Sequence, residues 1–407
     1  MIEPFWGEFM ISPIPLELSL NKCSHACRYC FANLNGYKGA DVKKLMRFLA
    51  DYQNRETLEA TLLKAGYPVL ISNRSDPFSR SNYRQMMPIL DTLGELDIPV
   101  SLQTKGGPGA KEVAAKRPGM VWYISISTLD DNLRARLEPA APSIQERFEL
   151  IEIIREYGGH VVLGLNPCVP EWLPDPAVLL RHAAFRGVEG VWVEELHLNY
   201  NQIAAMSELE KAAIGPELLT RSQLRKRAKA DSDHFFKARY EAESLGLSVF
   251  SNGQPTKSDI WDIYRSVYPK TFPTNQDFVN FCHENNLGGG VIPFDVYFDV
   301  THPFLPGGMY RMSKYLGASS RSIWETYNIP SKLTFRDLLM AIWKIKRAKQ
   351  SPARMPSFAY ATVSAQTGPI QLVDASDLPW LAFDENGNFE SYYTEVVPEW
   401  PQAVDIG

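Results

Sequence analysis

Short apolar runs alternate with stretches of helical periodicity over the first half of the chain. The runs cover residues 14–20, 68–72, 98–103, 120–127, 160–165 and 190–196. Segments this short, apolar on both sides of the backbone, are expected of strands in a parallel sheet covered by helices. Helical patterns fill the gaps. Asp41 is a natural N-cap ahead of Val42, Leu45, Met46 and Leu49, which fall at i, i+3, i+4 and i+7. A second such stretch spans 83–96. Ser143 and Glu146 form a capping box opening a helix whose face carries Phe148, Ile151 and Ile154, and Gly158-Gly159 closes it. The rhythm is that of an α/β fold with a parallel sheet or barrel.

The alternation is lost after Tyr200. Residues 206–246 read as charged helix, and 250–312 are rich in Gly, Pro and aromatics. A further helix is expected over 334–349, and the last fifty residues mix turns with strands. The pattern divides the chain into a core over 1–200 and a mixed α+β accessory region over 201–407. With 407 residues, one large domain or a core with an added part is expected.

A composition of 45% hydrophobic and 22% charged residues is ordinary for a soluble globular protein. The net charge of −5 excludes a general polyanion-coating protein, so any nucleic-acid contact needs a local patch. Five cysteines, three of them in one loop, do not form a disulfide framework and point to a reducing compartment. The first residues lack the basic and apolar regions of a secretory signal. No apolar run has the length of a membrane span. The expectation is a cytoplasmic protein without a membrane partner.

Candidate chemistry centres on Cys23-Ser24-His25-Ala26-Cys27-Arg28-Tyr29-Cys30. The C-x3-C-x2-C spacing can turn three sulfurs onto one soft metal centre, which thiolates select as zinc, copper(I) or an iron–sulfur cluster. Structural zinc closes with four ligands, and no fourth Cys or His follows at ligand spacing. Three ligands on a cluster of four irons leave one iron open, the favoured reading. A zinc loop in a non-catalytic interaction protein is the alternative.

This motif, continued by Phe31-Ala32, resembles that of the radical SAM enzymes, and most closely the branch of spore photoproduct lyase and its relatives. The resemblance implies a partial (β/α)6 barrel, a [4Fe-4S] cluster on Cys23, Cys27 and Cys30, and S-adenosylmethionine (SAM) on the open iron. It also implies an electron donor such as flavodoxin or ferredoxin, and a 5′-deoxyadenosyl radical that takes hydrogen from the substrate. The favoured substrate is a thymine-type base in DNA, repaired or modified, which must be flipped out of a duplex to reach a barrel mouth. A small metabolite or a peptide is the alternative.

Functional groups of a parallel barrel gather at the C-terminal strand ends. The turn Ser72-Asn73-Arg74-Ser75-Asp76-Pro77 resembles the one that accepts the SAM amino group, with Asp76 the best acceptor and Ser72 beside it. Asn73 stands where spore photoproduct lyase carries a hydrogen-donor cysteine, a departure that bears on photoproduct repair. Thr104-Lys105 matches a Thr-Lys pair whose lysine faces the SAM carboxylate. Ser125 and Ser127 share one face by the strand period and are candidates for the ribose hydroxyls. Glu138-Pro139 and Glu146-Arg147 match further elements, with Arg147 bracing the carboxylate side. Asn166 is a candidate adenosine contact, and Tyr29 is expected near the adenine. Of Glu194 and Glu195, one points inward by alternation.

Cys168, just past the fifth strand, is a candidate hydrogen donor; Cys282 has no assigned role. The basic cluster Arg221, Arg225, Lys226, Arg227 and Lys229 reads as a solvated helix face. With Trp261, Tyr264, Tyr297 and Tyr310 it could instead track phosphates while a ring stacks a base.

Overall fold

The structure is a computed structural model. It describes residues 12–21, 23–30, 39–196, 200–223, 229–250 and 256–274, with single residues and short stretches elsewhere up to 392. The helix expected over 334–349, Cys282, Tyr310, Arg225, Lys226 and Arg227 lie outside the described residues, as do the side chains of Arg221, Lys229 and Tyr297.

Seven strands pair in parallel and in chain order: β1 Leu16–Leu18, β2 Val69–Ile71, β3 Val100–Thr104, β4 Val121–Ser125, β5 His160–Leu165, β6 Gly190–Val193 and β7 Ser248–Val249. The connections carry α1 Val42–Leu49, α2 Leu58–Lys64, α3 Tyr83–Glu95, α4 Ala110–Lys116, α5 Asp131–Leu137, α6 Ile144–Glu156 and α7 Pro176–Phe185. Before β7 come α8 Tyr200–Ala205, α9 Glu208–Ile214, α10 Pro216–Gln223 and α11 Lys229–Ser244; α12 Ile260–Val267 follows it. The α/β architecture is as expected. The two local capping signals also hold: Asp41 accepts from the Lys44 N–H, and Ser143 with Glu146 closes a capping box.

One expectation is corrected. The sheet does not stop at six strands: β7 adds to β6 after the long helical stretch. The chain divides into a first unit of Met1–Ile2, Leu16–Phe250 and Thr256–Lys270, and a second of Glu3–Pro15, Ser251–Pro255 and Thr271–Gly407. The break expected at 200 therefore falls within the first unit. The second unit's described elements include β8 Val291–Ile292, α13 Phe294–Thr301, β9 Ala361–Val363, β10 Ile370–Leu372, β11 Leu381–Phe383 and β12 Phe389–Tyr392. β8, β10 and β9 form one antiparallel sheet, and β11 with β12 a hairpin.

Strand register assigns the two faces of the parallel sheet. Leu16, Leu18, Val69, Ile71, Leu102, Trp122, Ile124, Val161, Leu163, Leu165, Val191 and Val193 share one face and are shielded from solvent. With right-handed crossovers and sequential order, the connecting helices cover that face. The inner face carries Glu17, Ser101, Gln103, Tyr123, Ser125, Gly164 and Trp192 in one register. At the N-terminal strand ends it is covered by α12 and the residues after it. A Cβ on Gly190 would lie 2.8 Å from Ile263 and 3.0 Å from Ile260. The Tyr268 hydroxyl donates to Val100 O at 2.6 Å and accepts from Val121 N at 3.1 Å, joining the starts of β3 and β4.

Candidate active site

The cysteine loop leaves β1 and is tied to two other segments. Arg28 N–H donates to Leu137 O at 2.8 Å, and Ala140 N–H donates to His25 O at 3.2 Å. The loop thus lies along the end of α5 and the turn that follows. On its other side, Ser24 and Ser81 exchange backbone-to-hydroxyl hydrogen bonds of 3.1 Å in both directions.

His25 is buried within this loop. Its Nδ1 lies 3.2 Å from Ala140 O, and its Nε2 is 3.3 Å from Asp76 Oδ2. Asp76 is a hub: Oδ1 accepts from Phe78 N–H at 2.9 Å and from the Thr104 hydroxyl at 2.8 Å, while Oδ2 accepts from Lys105 N–H at 2.6 Å. Burial pushes the Asp76 carboxyl up, but His25 and these amides outweigh it and hold the group below the ordinary range. Gly107 lets the loop after β3 come this close, since a Cβ there would meet Phe78 O at 2.1 Å, at a φ of +142°.

A second carboxylate organises the opposite side. Glu138 accepts from Arg147, from Lys105 Nζ at 3.0 Å and from the Tyr29 hydroxyl. Burial raises its pKa, yet the two cations and the hydroxyl leave it far below the usual carboxylate range. Arg147 also donates to Ser125 O at 2.9 Å and to Pro142 O at 3.1 and 3.0 Å. Lys105 Nζ reaches Ser125 Oγ at 2.6 Å and Tyr29 Oη at 3.2 Å, and Tyr29 Oη lies 3.3 Å from Ser127 Oγ. The Tyr29 ring packs against Trp172, centroids 5.3 Å apart, at the edge of an apolar cluster with Leu137, Val169 and Met206.

The structure therefore brings Tyr29, Lys105, Ser125, Ser127 and Arg147 together around Glu138. Glu138 was legible only as part of a Glu-Pro pair, and His25 only as a residue between two thiols; contacts distant in sequence make both central. Ser72 sits at the end of β2 with φ +76°, and its buried hydroxyl has no hydrogen-bond partner among the described residues. Asn166, exposed, hydrogen-bonds Tyr123 on the inner face. Glu194 lies on the inner side, 3.4 Å from Trp192 Nε1, whereas Glu195 neighbours Cys168. Cys168 is buried, and its pKa is pushed up to about 12 by burial and by Glu195. Trp261 and Tyr264, the stacking rings of the alternative reading of the basic cluster, are buried in α12 at 3% and 2% exposure, so neither can receive a base.

The thiols fit an iron–sulfur cluster. Burial, then the Asp76 charge, pushes Cys23 up to about 12, while the His25 and Asp76 N–H groups and the Ser79 hydroxyl pull it down. The His25 N–H lies 3.3 Å from Cys23 Sγ. Cys27 is raised by burial and Glu138, with Lys105 opposing, and it senses both Cys23 and Cys30. Soft thiols with N–H···S donors suit iron and sulfide. Among the described residues, no three Cys, His, Asp or Glu side chains converge as a single-ion site.

No family model matches the chain. An uncharacterized protein of Mycobacterium tuberculosis is 30% identical over 207 residues, 46% of this chain and 60% of that protein. A protein of Pseudomonas phage M6 described as "Radical SAM Nalpha-GlyT isomerase" is 24% identical over 203 residues, 48% of this chain and 42% of that protein. This chain thus spans 60% and 42% of the length of these two relatives. Among solved structures, spore photoproduct lyase with bound dinucleoside spore photoproduct matches with a TM-score of 0.41 and 13% identity, over 58% of this chain and 76% of that one. Streptococcus suis SuiB bound to S-adenosylmethionine gives 0.35 and 19%, over 46% and 42%. The phage relative is described as a radical SAM protein, the family whose motif the cysteine loop resembles. No helix among the described residues is long and apolar enough to cross a membrane.

Proposed function

We propose that this chain is a radical SAM enzyme whose substrate is a thymine-type base in DNA. The observation that supports it most is the cysteine loop held against a buried, two-cation site. Lys105 and Arg147 face the single carboxylate of Glu138, a net positive charge of one beside Cys27. Such a site takes an anionic group, and the carboxylate of SAM is one.

Cys23, Cys27 and Cys30 would hold a [4Fe-4S] cluster. When bound, that cluster supplies the electron for reductive cleavage of SAM to a 5′-deoxyadenosyl radical, drawn from a donor such as flavodoxin or ferredoxin. The protein's own residues bind and orient. Lys105 holds the carboxylate, and the unpartnered Ser72 hydroxyl offers a contact at the amino-acid end. Ser125, Ser127 and Asn166 supply hydroxyl and amide groups on the inner face for the nucleoside, and Tyr29 fixes the loop beside them. Asp76, saturated by four partners, braces this arrangement and leaves the amino group to its neighbours. Burial keeps Cys168 as a thiol, the form that has a hydrogen atom to give.

The choice of a thymine-type base in DNA rests on the resemblance of the cysteine loop to that of spore photoproduct lyase; the phage relative is described as a radical SAM isomerase of Nalpha-GlyT. Oxygen-free reconstituted protein with SAM and a reductant is expected to yield 5′-deoxyadenosine; none at full cluster loading overturns the proposal. DNA affinity should fall steeply with salt. Turnover of a metabolite or peptide without DNA binding would replace the substrate and keep the radical chemistry.

A further inference from the structure

The mechanism above uses the cysteines and the Glu138 cluster but leaves His25 without a task. His25 is 3% exposed and lies between two of the thiol ligands. Both ring nitrogens face acceptors, Ala140 O at 3.2 Å and Asp76 Oδ2 at 3.3 Å. Its own N–H lies 3.3 Å from Cys23 Sγ. Asp76 answers with a backbone N–H toward the same sulfur, and its carboxylate also holds the Lys105 N–H. Lys105 in turn places its ammonium on Ser125 and Glu138. A continuous path of contacts therefore runs from the thiol loop through His25 and Asp76 to the cation that faces the anionic group.

We propose that His25 and Asp76 are a positioning pair that fixes the Cys23–Cys30 loop against the Lys105 loop and sets the hydrogen bonding around Cys23. Groups outside a metal's ligands that orient them change metal retention by about 10–100-fold when removed. An aliphatic side chain at 25 keeps none of the ring contacts. A glutamine has the reach to keep the contact toward Asp76 and loses the one toward Ala140.

The pair is a property of the chain itself, so the first test needs no metal. In the metal-free full-length protein, alkylation of each cysteine is followed by mass spectrometry. His25→Ala is expected to speed modification of Cys23 and Cys27 at least fivefold, with Cys168 unchanged and His25→Gln intermediate. Wild-type rates at Cys23 in His25→Ala, or an equal rise at Cys168, overturn the proposal; the second outcome means general loosening. If His25→Ala fails to fold, Asp76→Asn carries the same test, because its amide nitrogen cannot accept from Lys105 N–H or His25.

The second test rests on the proposed function. In reconstituted protein, His25→Ala should release iron to a chelator at least tenfold faster and alter the EPR line shape of the reduced cluster. The effects of His25→Ala and Asp76→Ala should not add in the double variant; additive effects overturn the pair. Wild-type protein that takes up no iron sinks the radical SAM reading, while the alkylation result still decides the pair.

Discussion

Arg147 and Glu138 meet where their side chains are 1% and 3% exposed, with the guanidinium donating to the carboxylate and to the carbonyl oxygens of Ser125 and Pro142. Two charges so far from water hold together because each nitrogen of the guanidinium finds an acceptor. Removing one partner leaves the other stranded. Arg147→Ala is expected to lower unfolding stability by about 3–5 kcal/mol, read as a shift in the urea midpoint at unchanged slope. Pairing Arg147→Met with Glu138→Gln should recover part of that loss, because the buried guanidinium and carboxylate go together and the Lys105 ammonium, 13% exposed, is the one charge left without its partner.

The same carboxylate gives stability a pH dependence of known sign. Its folded pKa lies below its unfolded value of about 4.3, since Arg147, Lys105 and Tyr29 outweigh burial. The stabilisation is therefore complete above the unfolded pKa and drains away as the pH falls toward the folded one. Between about pH 5 and about pH 3, wild-type protein should lose stability more steeply than Glu138→Gln. Urea titrations at several pH values measure the two slopes; parallel slopes would refute the assignment.

Lys105 has three partners, Glu138, Ser125 and Tyr29. Lys105→Met removes the charge that the proposed function gives to an anionic ligand. SAM affinity, measured by calorimetry on cluster-loaded protein, should fall about tenfold or more, a loss of at least ~1.4 kcal/mol. Lys105→Arg should not restore it, because the broader guanidinium cannot fit the three short contacts of an ammonium.

Gly164 is a steric prediction independent of any cofactor. A Cβ there would fall 2.0 Å from Tyr123 Cζ and 2.2 Å from its hydroxyl. Gly164→Ala should cost about 1–3 kcal/mol through overpacking and lower the melting temperature. Adding Tyr123→Ala removes the clash, so the double variant should lie above the sum of the two single effects.

Features carried by neighbours in the chain were legible in the sequence. The Asp41 cap, the Ser143–Glu146 box and the side shared by Ser125 and Ser127 follow from spacing alone. What spacing does not carry was hidden. β7 is two residues long and follows four helices, so no period marks it. Glu138 acquires Lys105 and Tyr29 across 33 and 109 positions, only after the sheet has formed. Trp261 and Tyr264 read as available rings because composition does not tell which side of a short helix is covered. Their burial follows from α12 packing at the start of β6, beside Gly190.

That last packing has a consequence for traffic. With one end of the sheet's polar side stoppered by aliphatic and aromatic side chains, a molecule approaching Ser125 travels in past the strands' far ends. On the proposed function, SAM and its nucleoside product would both pass by those far ends. Steady-state analysis should accordingly find an ordered sequence of arrivals and departures, in which whatever sits deepest enters first and leaves last.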